Sequence, residues 1–102
     1  MPNKSKAKGT RFENKCVELA KLRGLSSRRM WLSDGRTAGY SKDVDVVIDD
    51  WLCQCKKRKK LAKWIKPSED VDIQIVQEDY GKIYVIVDFE DFLDVIKEKN
   101  NL

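Results

Sequence analysis

Two short apolar runs split by a pair of aspartates constrain this chain more than any other feature. Val44, Val46, Val47 and Ile48 make a β-branched run, and Asp49-Asp50 makes a turn. Trp51-Leu52-Cys53-Gln54-Cys55-Lys56 then resumes as a strand. Strands with so short a link pair as a hairpin. Around it, residues 1–9 are expected to be a flexible basic arm. Thr10 is the expected N-cap of a helix, with Phe12, Cys16, Leu19, Ala20 and Arg23 at helical spacing until Gly24 stops the pattern. Residues 26–32 read as a strand, followed by a Gly-containing loop from Ser33 to Lys42. Lys59 to Lys66 reads as a short helix ended by Pro67. Asp72–Gln77 and Lys82–Val87 are two further strands, joined across Asp79-Tyr80-Gly81. The last helix begins near Asp88, with Phe89, Phe92, Leu93 and Ile96 on one face. The order α-β-β-β-α-β-β-α predicts an α/β sandwich, a central mixed β-sheet flanked by helices, with residues 10–102 as a single domain.

Composition narrows what such a fold can do. With 102 residues, 41% hydrophobic and 37% charged, the chain has enough apolar side chains for a core. That balance excludes a disordered chain, and no run approaches the ~18 apolar residues of a membrane span. The first eight residues are basic and polar with no apolar stretch after them, so no signal peptide is expected and the cytoplasm is the expected compartment. Three cysteines and no histidine argue against a Cys/His zinc site or a disulfide framework, and exclude catalysis by histidine. Charge is distributed unevenly. Residues 1–66 carry 18 Lys/Arg against 7 Asp/Glu, whereas residues 67–102 carry 3 against 10. Runs such as Lys56-Lys57-Arg58-Lys59-Lys60 repel themselves unless a polyanion is near. The expected partner is therefore nucleic acid, with neither a membrane nor a small-molecule substrate.

The hairpin also carries a constellation suited to phosphodiester chemistry. Side chains alternate along a strand, so Leu52, Gln54 and Lys56 point one way and Trp51, Cys53 and Cys55 the other, the second set reading as core. The Gln54 amide and the Lys56 ammonium then lie about 7 Å apart, two strand rises. Asp45 opens the paired strand. An oxygen from each strand could hold a hard divalent ion beside the lysine. Phosphodiester hydrolysis uses that kit: a metal to polarise the phosphate and acidify a water, and a cation for developing charge.

Asp45-Val46-Val47 followed by Gln54-Cys55-Lys56 resembles the split motif of the PD-(D/E)xK nucleases. Lys8-Gly9-Thr10-Arg11-Phe12-Glu13 and Arg36-Thr37-Ala38-Gly39-Tyr40-Ser41 are similar to the opening helix and the Ser-containing loop of the archaeal and phage Holliday junction resolvases. The resemblance covers roughly residues 8–60. It implies a restriction-endonuclease-like sandwich and a Mg²⁺-dependent endonuclease resolving four-way DNA junctions, with Mn²⁺ as a substitute ion. A phage-encoded protein of this kind would act in the host cytoplasm. Asp45, Gln54 and the Cys55 carbonyl would be the metal ligands, with Glu13 placing a further ligand or the water. Lys56 would stabilise the attacking hydroxide or the phosphorane, and Ser41 (or Ser33) would hold the loop serine's place. Lys8, Arg11, Arg28, Arg29, Arg36, Lys42, Lys57, Arg58, Lys59 and Lys60 would hold backbone phosphates, fixing DNA shape rather than base sequence. Two symmetric cuts imply a homodimer, with Trp64, Phe89 and Phe92, on short helices, as the shared apolar surface.

Duller readings stand beside these. Glu13, three after Thr10, also fits a capping box. Asp45 also fits a turn, and Lys56 also fits a plain phosphate contact. Gln54 stands where the family has Asp or Glu; a neutral amide donates less charge to Mg²⁺, so metal affinity should fall. The alternatives are a non-catalytic binder of branched DNA, or a relative cutting flaps, mismatches or a short sequence.

Overall fold

The computed structural model describes residues 4–30 and 39–102, without the side chains of residues 4–6. The chain divides into two compact units, Met1–Lys57 and Arg58–Leu102, taken in turn.

The first unit opens with helix α1, Lys4–Leu22. Residues 4–9 are therefore helical rather than a flexible arm, and Thr10 lies inside the helix rather than at its cap. Lysine and alanine are strong helix formers, and one interior glycine, Gly9, costs only about 1 kcal/mol. Cys16, Val17 and Ala20 form the buried stripe of α1, where residues three and four apart share a face. The helix ends in a Schellman motif. Gly24 N–H donates to the Lys21 carbonyl (2.9 Å) and Leu25 N–H to that of Ala20 (3.1 Å), with Gly24 at φ +76°. Leu25 is buried just beyond, as is usual for the residue that follows such a cap.

Three strands follow: β1 (Ser27–Arg29), β2 (Val46–Ile48) and β3 (Trp51–Cys53), in the order β1-β2-β3, both pairs antiparallel. The expected hairpin is β2–β3, with Val46 opposite Cys53 and Ile48 opposite Trp51. Asp49 turns it at φ +50°, a conformation aspartate tolerates better than most residues. β2 is the centre of the sheet and all three of its residues are buried; α1 packs on β1 and β2. On β3 the expected face pattern is half right. Cys53 is half-buried, but Trp51 is exposed, because β3 is the sheet edge.

The second unit holds β4 (Ile73–Gln77) and β5 (Ile83–Val87), an antiparallel pair, and helix α2 (Phe89–Asn100). Asp88 caps α2 as expected, its carboxylate accepting from Asp91 N–H at 3.1 Å. Glu90 and Asp91 in the first turn and Lys97 and Lys99 in the last match the helix dipole. Leu93 and Ile96 are its buried residues, while Phe89 and Phe92 are half-buried. The expected helix at 59–66 does not form; the segment holds a turn around residues 63–65, with Ile65 N–H on the Ala62 carbonyl (3.1 Å). Eight residues cut off by Pro67 are too few for a stable helix without a buried face, and Leu61 and Trp64 are exposed. One face of β4–β5 sets Ile73 and Ile75 across from Val87 and Val85; Ile73, Ile75, Ile83 and Val85 are exposed.

The protein is thus mixed α/β, with two helices and two antiparallel sheets among the described residues. The expected mixed sheet gives way to wholly antiparallel pairing there. Parallel strands need a crossover of a dozen or more residues, and the β2–β3 and β4–β5 links are too short for one. No helix among the described residues is long and apolar enough to cross a membrane.

The Schellman cap makes a test of the first unit. No heavy atom lies within 4 Å of where a Cβ on Gly24 would sit, so the cost of Gly24→Ala is that of backbone conformation alone. A loss of about 1–2 kcal/mol is expected, read as a lower urea midpoint at unchanged slope.

Candidate functional site

Asp45 precedes β2 and is fastened from three directions. Its backbone N–H donates to the Cys53 carbonyl (2.8 Å), and its own carbonyl accepts from Met30 N–H (2.8 Å). Its side chain closes the third bond, with Oδ2 accepting from Cys55 N–H at 2.7 Å. Backbone pairing between β2 and β3 thus gives way to a carboxylate clasp between the residue before β2 and the second residue after β3. The clasp is charge-assisted and short, a class of bond worth about 1.5–3 kcal/mol. It places Gln54-Cys55-Lys56 beside the aspartate. Gln54 and Lys56 are exposed and Cys55 is half-buried, so the expected alternation survives past the end of the ladder.

Glu13 comes to the same region from α1 but is already engaged. Its Oε2 accepts from Arg29 Nε at 3.1 Å, with both side chains less than one-fifth exposed. Arg29 Nη2 also reaches Thr10 Oγ1 at 3.4 Å. This replaces two expectations. Glu13 does not fold back to cap its own helix, since Thr10 is not a cap. Arg29 is turned into the fold, tying β1 to α1, rather than toward a phosphate.

Hydrogen bonding from the Cys55 side chain draws the Cys16 thiol below its ordinary range, against the effects of burial and Glu13. The same interaction with Cys16 pushes the Cys55 thiol up, helped by burial and by the negative charges of Cys16, Asp45 and Glu13. Burial likewise raises Cys53. The clasp thus joins Asp45 to Cys55, while Glu13 is held by Arg29. Sequence reasoning missed Cys16, and its one signal is its place three residues after Glu13 on one helix face.

The remaining expected residues are more scattered. Ser41 closes a local turn, its Oγ accepting from Asp43 N–H (3.1 Å) and its carbonyl from Val44 N–H (3.1 Å). Arg11, Arg28, Lys42 and Lys56 are exposed and Lys8 is half-buried; Lys57 and the following Arg58, Lys59 and Lys60 are exposed as well. Ser33 and Arg36 lie outside the described residues. Trp64 is 64% exposed but stands in a turn, not on a helix.

Among the described residues no three His, Cys, Asp or Glu side chains gather as a metal-holding group. The donors beside the clasp are hard oxygens: the Asp45 carboxylate, the Gln54 amide and the Cys55 carbonyl. That chemistry suits Mg²⁺, which keeps several waters and is commonly held by one or two carboxylates together with substrate phosphates. Comparison with protein-family models, curated proteins and solved structures finds no match to this chain.

The Glu13–Arg29 pair is open to direct measurement. Arg29→Met leaves a partly buried carboxylate without its guanidinium and is expected to cost about 1–3 kcal/mol in urea unfolding. Glu13→Gln, whose amide oxygen still accepts from Arg29, is expected to cost less.

Proposed function

We propose that this protein is a Mg²⁺-dependent endonuclease selective for branched DNA, of the PD-(D/E)xK type and most similar to a Holliday junction resolvase. The observation that carries the reading is the clasp between Asp45 and the Cys55 amide. It fixes one carboxylate at the mouth of the β2–β3 hairpin and brings Gln54 and Lys56 next to it. A hairpin bearing an acid on one strand and a lysine just past the other is what the split nuclease motif requires. The restriction-endonuclease-like sandwich belongs to the same proposal, as does the homodimer.

In this reading Asp45, the Gln54 amide and the Cys55 carbonyl hold the ion. When bound, Mg²⁺ polarises the scissile phosphate and acidifies a water. Lys56, exposed beside the clasp, offsets the charge that builds on the phosphate oxygens. Glu13 serves through Arg29, keeping α1 against the strand that hydrogen-bonds Asp45's neighbours, and so is a positioning residue. Lys57, Arg58, Lys59 and Lys60 follow directly in sequence and meet backbone phosphates. Arg11, Arg28 and Lys42, also exposed, are further phosphate contacts on the first unit. A two-fold pair of subunits would match the symmetry of a four-way junction and supply its second cut. Exposed Trp64, with Phe89 and Phe92, offers apolar surface for that pairing.

The decisive assay incubates the purified protein with a labelled four-way junction and a matched linear duplex, in Mg²⁺ or in EDTA. Cutting of the junction in Mg²⁺ alone is expected. Asp45→Asn and Lys56→Ala should abolish it while leaving junction affinity within a few fold. Tight binding with no cutting would instead identify an architectural protein, and full activity of Asp45→Asn would remove the metal-site assignment.

Neutralising Lys57, Arg58, Lys59 and Lys60 together should weaken binding to every DNA shape. The slope of log affinity against log salt should fall by about one unit for each phosphate that is no longer neutralised. A weakening confined to one base sequence would point to direct base recognition.

A further inference from the structure

The β4–β5 hairpin of the second unit has an outer edge that the nuclease reading does not use. Its sheet has two strands, so one side of β5 pairs with β4 and no described strand pairs with the other. The two strands are exposed differently. On β4, Ile73, Ile75 and Gln77 are exposed while Gln74 and Val76 are half-buried, the alternation of a strand covered on one face. On β5, Ile83, Tyr84 and Val85 are exposed in succession, and so on both faces. Natural edge strands are usually blunted by a charge, a proline or a bulge. Ile83-Tyr84-Val85-Ile86-Val87 has no charged residue and no proline, and its ladder to β4 runs from end to end without a bulge.

We propose that this edge pairs with the β5 of a second copy of the chain, antiparallel about a two-fold axis through Val85. Such a pair sets Ile83 opposite the partner's Val87, Tyr84 opposite the partner's Ile86, and Val85 opposite the partner's Val85. Alternate residues of a strand direct their N–H and C=O groups to the same side. The outward set of β5 is either Ile83, Val85 and Val87 or Tyr84 and Ile86. Each set maps onto itself about Val85, so the backbone bonds close in either case.

Charge complementarity singles out this register. One step beyond each end of β5, Lys82 meets the partner's Asp88, and the two-fold axis repeats the pair. Both residues are exposed. The Asp88 carboxylate caps α2 through Oδ1 and has a second oxygen to offer. Centring the pair on Tyr84 sets Lys82 against the partner's Ile86, and centring it on Ile86 sets Tyr84 against the partner's Asp88. Each of those registers loses the opposed charges. The result is one sheet in the order β4-β5-β5-β4, in which β5 is no longer an edge. An isolated two-stranded hairpin is marginal in water, and the second copy supplies the missing strands. The pairing stands on this edge and does not rest on the nuclease reading.

The test measures the mass of the purified full chain by light scattering over a micromolar concentration range, where a dimer is expected. Val85→Lys sets two like charges directly opposite each other at the axis and should weaken the dimer by about tenfold or more. Val85 is 55% exposed in the single chain, so this variant should keep its circular dichroism spectrum. Lys82→Glu should weaken the dimer by a few fold, a difference that added salt removes. Val85→Cys, made in a Cys53→Ser background, should give a disulfide between the two copies at position 85 on mild oxidation. Directly opposed residues of an antiparallel pair stand about 4.5–5.5 Å apart, within reach of that bond. Ile75→Cys, on the same face and 65% exposed, should give none, because it lies one strand further from the axis. A monomer throughout, or a dimer that Val85→Lys leaves intact, would overturn the proposal. Linking through Ile75→Cys as readily as through Val85→Cys would also overturn it, in favour of hairpins packed face to face. None of these readouts involves DNA, so they stand or fall apart from the nuclease reading.

Discussion

The first unit depends on how Asp45 is satisfied. A carboxylate directly before a fully buried strand needs partners, because an unpaired charge next to the core is costly. Asp45 finds one in the Cys55 amide, and its backbone meanwhile bonds both neighbouring chain segments. The result fixes where β2 begins, how far the β2–β3 ladder runs, and where the chain goes after Cys53. Because the ladder ends in a side-chain bond rather than another backbone pair, Gln54 and Lys56 are not drawn into a longer strand. They stand at the surface, on either side of the residue that clasps the carboxylate.

A second polar contact holds the helix to this arrangement. Glu13 and Arg29 come from α1 and β1, and each would be a liability if left alone where it is less than one-fifth exposed. Paired, they set the rotation of α1 that turns Cys16, Val17 and Ala20 inward. The pair also withdraws one acid and one base from the functional inventory that residue type alone suggests. In an arginine-rich segment, Arg28 is exposed while its neighbour Arg29 is committed to the fold. Two adjacent and chemically identical side chains thus have different work because strand alternation sends them to opposite faces.

Much of the local structure is legible in the residues themselves. The β2–β3 hairpin follows from two apolar runs around Asp49-Asp50, the β4–β5 hairpin from two more around Asp79-Tyr80-Gly81, and α2 from Asp88 and a period of 3.6. The failures have physical causes. Spacing alone predicts a helix over 59–66, but with Leu61 and Trp64 exposed no packing supports it. Thr10 has the chemistry of a cap and so marks the start of α1 too late, while the lysines before it are good helix formers. The nearness of Asp45 and Cys55 follows from the hairpin, although the guanidinium holding Glu13 does not.

By itself the sequence determined which segments are helix and strand in most places, where the chain must turn, and that its basic charge gathers in the first two-thirds. These are properties of near neighbours: side-chain period, β-branching, caps and glycine. Tertiary structure alone decided that Arg29 faces Glu13 and that Asp45 bonds an amide ten residues on. Such pairs join residues far apart along the chain, so no local pattern encodes them. The first is set by how α1 lies on the sheet, which depends on burying its apolar stripe against β1 and β2, and the second by where the β2–β3 ladder ends.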